Sequence, residues 1–285
     1  MTDARFESGA PDYAAYLQTV EGRLRLDIAW ENFLSVINES NATQTKLDEA
    51  GDAAGERRAL DLGGGTGALA LRFAALGWRV AVVDPSATML AIAADAARAA
   101  TPDASTTPDS PRVTFHESVA ERAHELFAPQ TFDAAVCHNV LEYVSDPRAA
   151  ARSLAALVKP GGLVSLVARN RAGEAMRAAL KAHDLDEAER ALTSEQVNES
   201  LYGGPARLFD ARSLGELATA AGLRVVAERG VRVVADYLPA ALSGTPDAYA
   251  RLLSFERTLG ARPEFAAVAR YAQIIARKEG AAATA

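Results

Sequence analysis

A doubly wound α/β fold is predicted by three features of this 285-residue chain. From Arg58 onward, short apolar runs alternate with segments of helical periodicity. Several of the runs, such as WRVAVVD and FDAAVCHN, are almost continuously apolar, as strands of a parallel sheet covered on both faces must be. Between the first run and its helix stand Gly63, Gly64, Gly65 and Gly67, a cluster suited to a sharp strand-to-helix turn.

Residues 12–38 carry Leu24, Ile28, Phe33, Leu34 and Ile37 at helical spacing and predict one or two helices ahead of the sheet. The polar, acidic stretch 39–58, with Gly51 and Gly55, predicts a surface linker. RALDL is then a strand, TGALALRFAALG a helix closed at Gly77, and WRVAVVD a second strand. PSATMLAIAADAARAA is a second helix with Pro85 and Ser86 in its first turn. Residues 101–111, rich in Pro, Ser and Thr, predict a mobile loop. RVTFHE is the third strand, SVAERAHELF opens a short helix capped by Ser118, and FDAAVCHN is the fourth strand. DPRAAARSLAALV is a helix closed by KPGG, and LVSLVAR is the fifth strand. Beyond Arg169 the rhythm breaks: residues 170–209 predict helix and loop without a strand, and ARSLGELATAAG predicts a helix. LRVVAERG and YAQIIARK predict two closing strands separated by a mostly helical stretch. The chain thus divides into an N-terminal helical segment and linker (1–56), an α/β core (57–169), and cap insertions with the closing strands of the same domain (170–285). Such insertions would sit over the C-terminal edge of the sheet, where α/β proteins bind ligands.

Composition narrows the function. With 49% hydrophobic and 24% charged residues the chain is expected to be a soluble globular protein. A formal net charge of -7 argues against indiscriminate binding to nucleic acid. The charge is uneven: residues 1–150 carry 12 Lys and Arg against 22 Asp and Glu, residues 151–285 carry 18 against 15. An anionic partner is therefore expected on the second half. The single cysteine, Cys137, excludes a disulfide framework and a multi-cysteine metal site. His116, His124 and His183 lack metal-like spacing, so no metal is expected. No basic n-region with an apolar core and no run of about 18 apolar residues is present, so neither a secretory signal nor a membrane span is expected. A reducing, cytoplasmic setting is the simplest expectation.

The glycine loop can be parsed in two ways. As Gly63-x-Gly65-x-x-Ala68 it satisfies a relaxed dinucleotide pattern; as Asp61-x-Gly63-x-Gly65-x-Gly67 it matches a methyl-donor loop. Asp84, at the end of the second strand, can accept hydrogen bonds from ribose hydroxyls in either ligand, or cap the helix that follows. Asp61 discriminates. A carboxylate there would repel a pyrophosphate but attract the sulfonium and ammonium of S-adenosylmethionine (SAM). The loop favours the methyl donor.

At this point the chain resembles the class I SAM-dependent methyltransferases, with their Rossmann-like sheet. The resemblance continues through VVDPSATML, VCHNVLEYVSDP and LVKPGGLVSLV, and covers roughly residues 57–168. Through EGRLRLDIAWENF, CHNVLEYVSDPR, GVRVVADYL and ARYAQIIARK it also resembles the bacterial tRNA 5-carboxymethoxyuridine methyltransferases, which esterify a carboxylate on a modified wobble uridine. It departs from them between Asn170 and Pro205, where HDLDEAERALTSEQVNES is acidic rather than basic.

The resemblance implies site residues. Arg25 would meet the methionine carboxylate, Gly63, Gly64 and Gly65 would line the methionine end beside Asp61, and Asp84 would bind the ribose. Val119 and Ala120 would border the adenine, as could Met89, and His138 would contact the cofactor from the end of the fourth strand. Helix packing for Val119, Ala120 and Met89, a structural role for His138 and a surface position for Arg25 are the plain alternatives. To position an acceptor carboxylate, Arg232 and Tyr237 rank first, followed by Arg169 and Tyr202, with Arg171 and Arg207 also in the inserted segments. Arg232 could instead pair with Asp236, and Tyr237 could be packing. No catalytic residue follows from sequence alone. A carboxylate acceptor needs no general base, whereas a hydroxyl or amine would call on His138 or a tyrosine. The expected activity is methyl transfer to a carboxylate oxygen, of tRNA or of a small carboxylate-bearing molecule. A small-molecule O- or N-methyltransferase is the alternative, and a non-catalytic nucleotide-binding module the outsider.

Overall fold

In the computed structural model, which describes residues 4–45, 56–100, 112–199 and 201–280, the first five expected strands pair in parallel. They are β1 (Arg58–Leu62), β2 (Arg79–Asp84), β3 (Val113–Glu117), β4 (Phe132–His138) and β5 (Val158–Arg169). The closing strands β8 (Leu223–Val231) and β9 (Tyr271–Lys278) complete a seven-stranded sheet in the order β3-β2-β1-β4-β5-β9-β8. β9 runs antiparallel to both β5 and β8. Its start therefore lies at the edge where the parallel strands end.

Two apolar layers enclose the sheet. On one face α3 (Val20–Thr45) and α4 (Ala68–Ala75) bring Trp30, Phe33 and Phe73 against Val80, Val82, Val136 and Ile275. On the other, α6 (Pro147–Leu157) and α9 (Ala211–Ala220) bring Leu154, Leu157 and Leu214 against Leu166 and Ile274. Adjacent Ile274 and Ile275 go to opposite layers, as the two-residue period of a strand requires. Burying side chains of this size stabilises the fold by about 1.5–3 kcal/mol each.

Several elements differ from expectation. The N-terminal segment is three helices, with α1 (Ala4–Ser8) and α2 (Ala10–Tyr16) preceding α3. Because α3 continues to Thr45, the expected linker begins as helix; its residues 46–55 and the expected loop 101–111 lie outside the described residues. Helix α5 (Ala87–Ala100) begins after Ser86, whose hydroxyl accepts from Met89 N at 3.1 Å and caps it. Ser118 caps nothing: its hydroxyl donates to the Val119 carbonyl at 3.3 Å, and a 3₁₀ turn spans Ala120–Glu125. KPGG falls inside β5, whose pairing with β4 shifts register between Phe132 and Ala134. Residues 170–209 do contain strands, the antiparallel ribbon of β6 (Gln196–Asn198) and β7 (Pro205–Arg207), alongside α7 (Arg171–Arg177) and α8 (Leu185–Thr193). Three-residue strands are too short to carry a visible alternation. The stretch between β8 and β9 holds α10 (Pro246–Gly260) and α11 (Pro263–Ala266).

Candidate functional site

The glycine loop fits around its neighbours so closely that side chains are excluded. A Cβ at Gly63 would fall 2.2 Å from Val140 Cγ2, and one at Gly64 would fall 2.8 Å from Asp61 Cγ. Gly63 and Gly65 adopt φ of 69° and 54°, the left-handed region that glycine enters without strain. Asp84 ties the loop to β2: its Oδ2 accepts from Gly65 N and its Oδ1 from Ser86 N, both at 2.9 Å. The helix-cap alternative for Asp84 is not realised, since Ser86 caps α5 and the Asp84–Ser86 bond closes the turn before the helix, while the other oxygen holds the loop.

Above this loop opens a cavity of about 870 Å³ at the C-terminal edge of the sheet. Gly63, Gly65, Asp84, Met89, Val119 and Ala120 line one end. Arg25, His138, Arg169, Arg232 and Tyr202 line the cavity as well. Asp61 and Gly64 border a small adjoining cleft that also touches Arg25, Gly63 and His138. The structure therefore gathers every residue expected at the donor around these two cavities, which share Arg25, Gly63 and His138 as walls.

Arg25 is buried and held by neutral groups, donating to Asn139 Oδ1 at 3.0 Å and to the Tyr13 hydroxyl at 2.9 Å. Asn139 in turn donates to Glu142 Oε1 at 2.9 Å, which also accepts from Arg169 N at 2.9 Å. Asp61 is 2% exposed and its Oδ2 has no hydrogen-bond partner. Burial, reinforced by the nearby Asp84, pushes its carboxyl up to about 7 against the pull of the Ala70 backbone N–H. Burial, with Arg25 nearby, pushes the His138 imidazole down to about 3, so the ring is neutral at physiological pH. So low a basicity disfavours His138 as the base that a hydroxyl or amine acceptor would need.

The guanidiniums of Arg25, Arg232 and Arg270 lie 5.9, 5.8 and 5.8 Å from the Tyr271 ring centroid. Arg169 completes the ring of cations; it pairs with Glu174 at 3.0 Å and Glu199 at 2.7 Å. Arg232 pairs with Asp236, as the four-residue spacing allowed, and donates to the Tyr16 hydroxyl at 3.0 Å. Its Nε nevertheless remains without a hydrogen-bond partner in a buried setting. Burial pushes Tyr271 up, but Arg169, Arg232, Arg270 and Arg25 outweigh it and bring the phenol down to about 8.

Tyr237 is not among the cavity-lining residues, a correction to its first rank beside Arg232. It closes a 3₁₀ turn (Ala235–Tyr237) one residue past Asp236, which already serves Arg232. Arg171 and Arg207 are also elsewhere: Arg171 donates to the Ser194 carbonyl at 3.0 Å, and Arg207 to the Val144 carbonyl at 3.2 Å. Tyr202 lines the cavity within an aromatic cluster, 4.9 Å from Phe6 and 6.1 Å from Tyr143 between ring centroids. Sequence reasoning missed Tyr13, Tyr16, Arg270 and Tyr271. The last two stand in ARYAQIIARK, and only the antiparallel course of β9 would have marked them.

An orphaned buried carboxylate, a loop that only glycine can form and a ribose-height Asp84 suit a donor with two hydroxyls and a cationic tail. They suit SAM. Comparisons with known proteins agree. A methyltransferase-domain family model matches residues 35–228. The tRNA 5-carboxymethoxyuridine methyltransferase of Escherichia coli K12 is 28% identical over 282 residues, 98% of this chain and 97% of that protein. The ubiquinone biosynthesis O-methyltransferase of Paracidovorax citrulli is 36% identical over 125 residues, 44% of this chain and 48% of that one. A SAM-dependent methyltransferase structure from Thermotoga maritima superposes with TM-score 0.59 at 16% identity, covering 97% of this chain and 99% of its own. One from Mesorhizobium loti gives 0.53 at 19%, covering 82% and 96%, and both show the shared fold. Among the described residues no helix is long and apolar enough to cross a membrane. With its fold, its donor loop and its family match in agreement, the chain belongs to the class I SAM-dependent methyltransferases.

Proposed function

We propose that the chain transfers a methyl group to a carboxylate oxygen, and that its acceptor is 5-carboxymethoxyuridine at the tRNA wobble position. The observation that carries this reading is the group of Arg25, Arg169, Arg232 and Arg270 about Tyr271, all of them lining the cavity. The Escherichia coli relative, aligned over 98% of the chain, supports the tRNA acceptor, and a tRNA substrate implies a cytoplasmic setting.

Bound SAM supplies an activated methyl group on a sulfonium centre. The chain's own residues then do the positioning. Asp84 accepts from the ribose, Val119 and Ala120 border the adenine, and Arg25 holds the methionine carboxylate while Asp61 offsets the cationic charge. Arg232, paired on one side with Asp236, and Arg270, paired with Glu174, orient the acceptor carboxylate, and Arg169, held by Glu174 and Glu199, adds long-range positive potential. An acceptor carboxylate is ionised at neutral pH, so alignment is the main task left to the protein. Residues 57–169 thus carry the donor, 170–285 the acceptor end, and 1–56 contribute Arg25 and Tyr13 to both.

The acidic helix α8, with Asp186, Glu187 and Glu189, favours a second reading, a small-molecule O- or N-methyltransferase using the same donor site. The test is methylation by the purified protein with isotope-labelled SAM, offered tRNA bearing 5-carboxymethoxyuridine or a panel of small carboxylic acids, phenols and amines. Mass spectrometry of the digested tRNA should show the methyl ester. Label in a small molecule with none in tRNA would remove the tRNA acceptor, and label on a phenol or amine would remove the carboxylate.

A further inference from the structure

His138 stands in a polar row that crosses the otherwise apolar sheet face under α3. Its Nε2 lies 2.8 Å from Ser165 Oγ on β5. Gln273 on β9 donates to Ser165 Oγ at 3.0 Å and to the Ala29 carbonyl at 2.9 Å. Its Oε1 accepts from Asn32 Nδ2 at 2.9 Å. Ser165 and Gln273 are both 0% exposed, so neither side chain can turn to water instead.

The hydrogens in this row follow from what each atom can do. A backbone carbonyl only accepts, so the amide nitrogen of Gln273 must face Ala29, whatever orientation a side-chain amide is first given. Its second N–H is then spent on Ser165 Oγ. The serine hydroxyl has one proton, and leaving it unbonded in the interior would cost about 1–3 kcal/mol. The only acceptor placed for it among the described residues is His138 Nε2. In a neutral ring that puts the imidazole proton on Nδ1, which takes no partner from the described residues.

We propose that Gln273 is a positioning residue for the donor site, acting through Ser165 to hold His138 as its Nδ1–H tautomer, so that the ring offers a hydrogen-bond donor to the methionine carboxylate of SAM. The proposal rests on the reading of His138 as a cofactor neighbour and is independent of which acceptor is used. It explains why a glutamine and a serine interrupt two central strands: removing the charge-free relay would let the ring turn its lone pair toward the carboxylate and repel it. The depressed basicity of His138 supports the same picture, since the ring remains neutral and its tautomer decides what it presents.

The tautomer can be read directly in ¹⁵N–¹H imidazole correlation spectra of the free protein, with His138→Asn identifying the signal among the 4 histidines. Nδ1 should carry the proton in wild type. Ser165→Ala and Gln273→Leu should admit the Nε2–H form and weaken S-adenosylhomocysteine binding about three- to tenfold, and Ser165→Thr should restore both. A wild-type ring protonated at Nε2, or one unchanged by Ser165→Ala, would overturn the relay. A wild-type Nδ1–H signal that S-adenosylhomocysteine leaves unmoved would overturn the contact with the cofactor while leaving the tautomer standing. The free-protein spectrum reports even if a variant fails to fold.

Discussion

Asp84 and Gly65 are bonded across the two turns that frame the donor site, the Asp84 Oδ2 accepting from Gly65 N at 2.9 Å. One carboxylate therefore shapes the glycine loop and presents its remaining lone pairs to the cavity. Asp84→Ala should weaken S-adenosylhomocysteine binding more than tenfold, about 1.4 kcal/mol or more, because ribose acceptor and loop anchor go together. Asp84→Asn, which keeps one acceptor oxygen, should fall between. Calorimetric titration checks both, and a dissociation constant for the alanine variant within about threefold of wild type would contradict the role.

Asp61 predicts a proton release. Its folded pKa of about 7 lies above the ordinary value because of burial, so the native carboxyl keeps a proton that the unfolded chain loses near pH 4. Its contribution to stability is complete below about pH 4 and is lost as pH rises through about 7. A cationic ligand favours the ionised form, so SAM binding near neutral pH should expel a proton and tighten between pH 6 and 8. Titrations in buffers of different protonation enthalpy measure this, and Asp61→Asn should abolish it.

Tyr271 sets an alkaline limit. Its phenol, at about 8, is brought below the usual value by four arginines that overcome burial, while burial and Tyr271 itself push Tyr16 up to about 12. Ionised Tyr271 contributes stability that is full above about pH 10 and lost as pH falls through about 8. Over the same range the phenolate cancels part of the positive charge meant for an acceptor anion. The acceptor KM should rise above about pH 8 in wild type and stay flat in Tyr271→Phe. A KM rising equally in the variant would clear Tyr271 of that role.

Glu256 holds Arg232 from behind. Its fully buried carboxylate accepts from Val233 N at 2.6 Å, Val234 N at 2.9 Å and Ala235 N at 2.6 Å, directly after Arg232 with its left-handed φ of 61°. Glu256→Ala orphans three donors and should cost roughly 3 kcal/mol in denaturant melts. Below the melting range it should raise the acceptor KM at least about tenfold, through the misplaced Arg232, and leave S-adenosylhomocysteine affinity within about twofold.

The donor half was legible because β1 to β4 follow one another in parallel. Each strand's last residues then fall on one edge, and Asp61, Asp84 and His138 could be placed by counting. The acceptor half was not, for three physical reasons. β9 reverses direction, which moves Arg270 and Tyr271 from the expected far end of a strand to the site. Tyr13 and Tyr16 reach the cavity from helices that precede the sheet, where no periodicity distinguishes a lining ring from a core one. Among the inserted arginines, only packing separates Arg232 from Arg207, which spends its donors on the carbonyls of Leu141 and Val144.

The register of β9 has a consequence for how the enzyme comes into being. Tyr271 pairs with Arg169 on one side and Val231 on the other, so the cationic ring closes only when β9 slots between β5 and β8. During synthesis the donor loop and its flanking strands emerge first, and can assemble while β9 is still unmade. Until then Arg270, the residue just before β9, is not yet beside the Glu174 and Asp236 carboxylates that it shares with Arg169 and Arg232. Insertion of a single late strand then completes the hydrophobic sheet and concentrates the charge in one step, so a nascent or misthreaded chain holds the donor loop without a finished place for the acceptor.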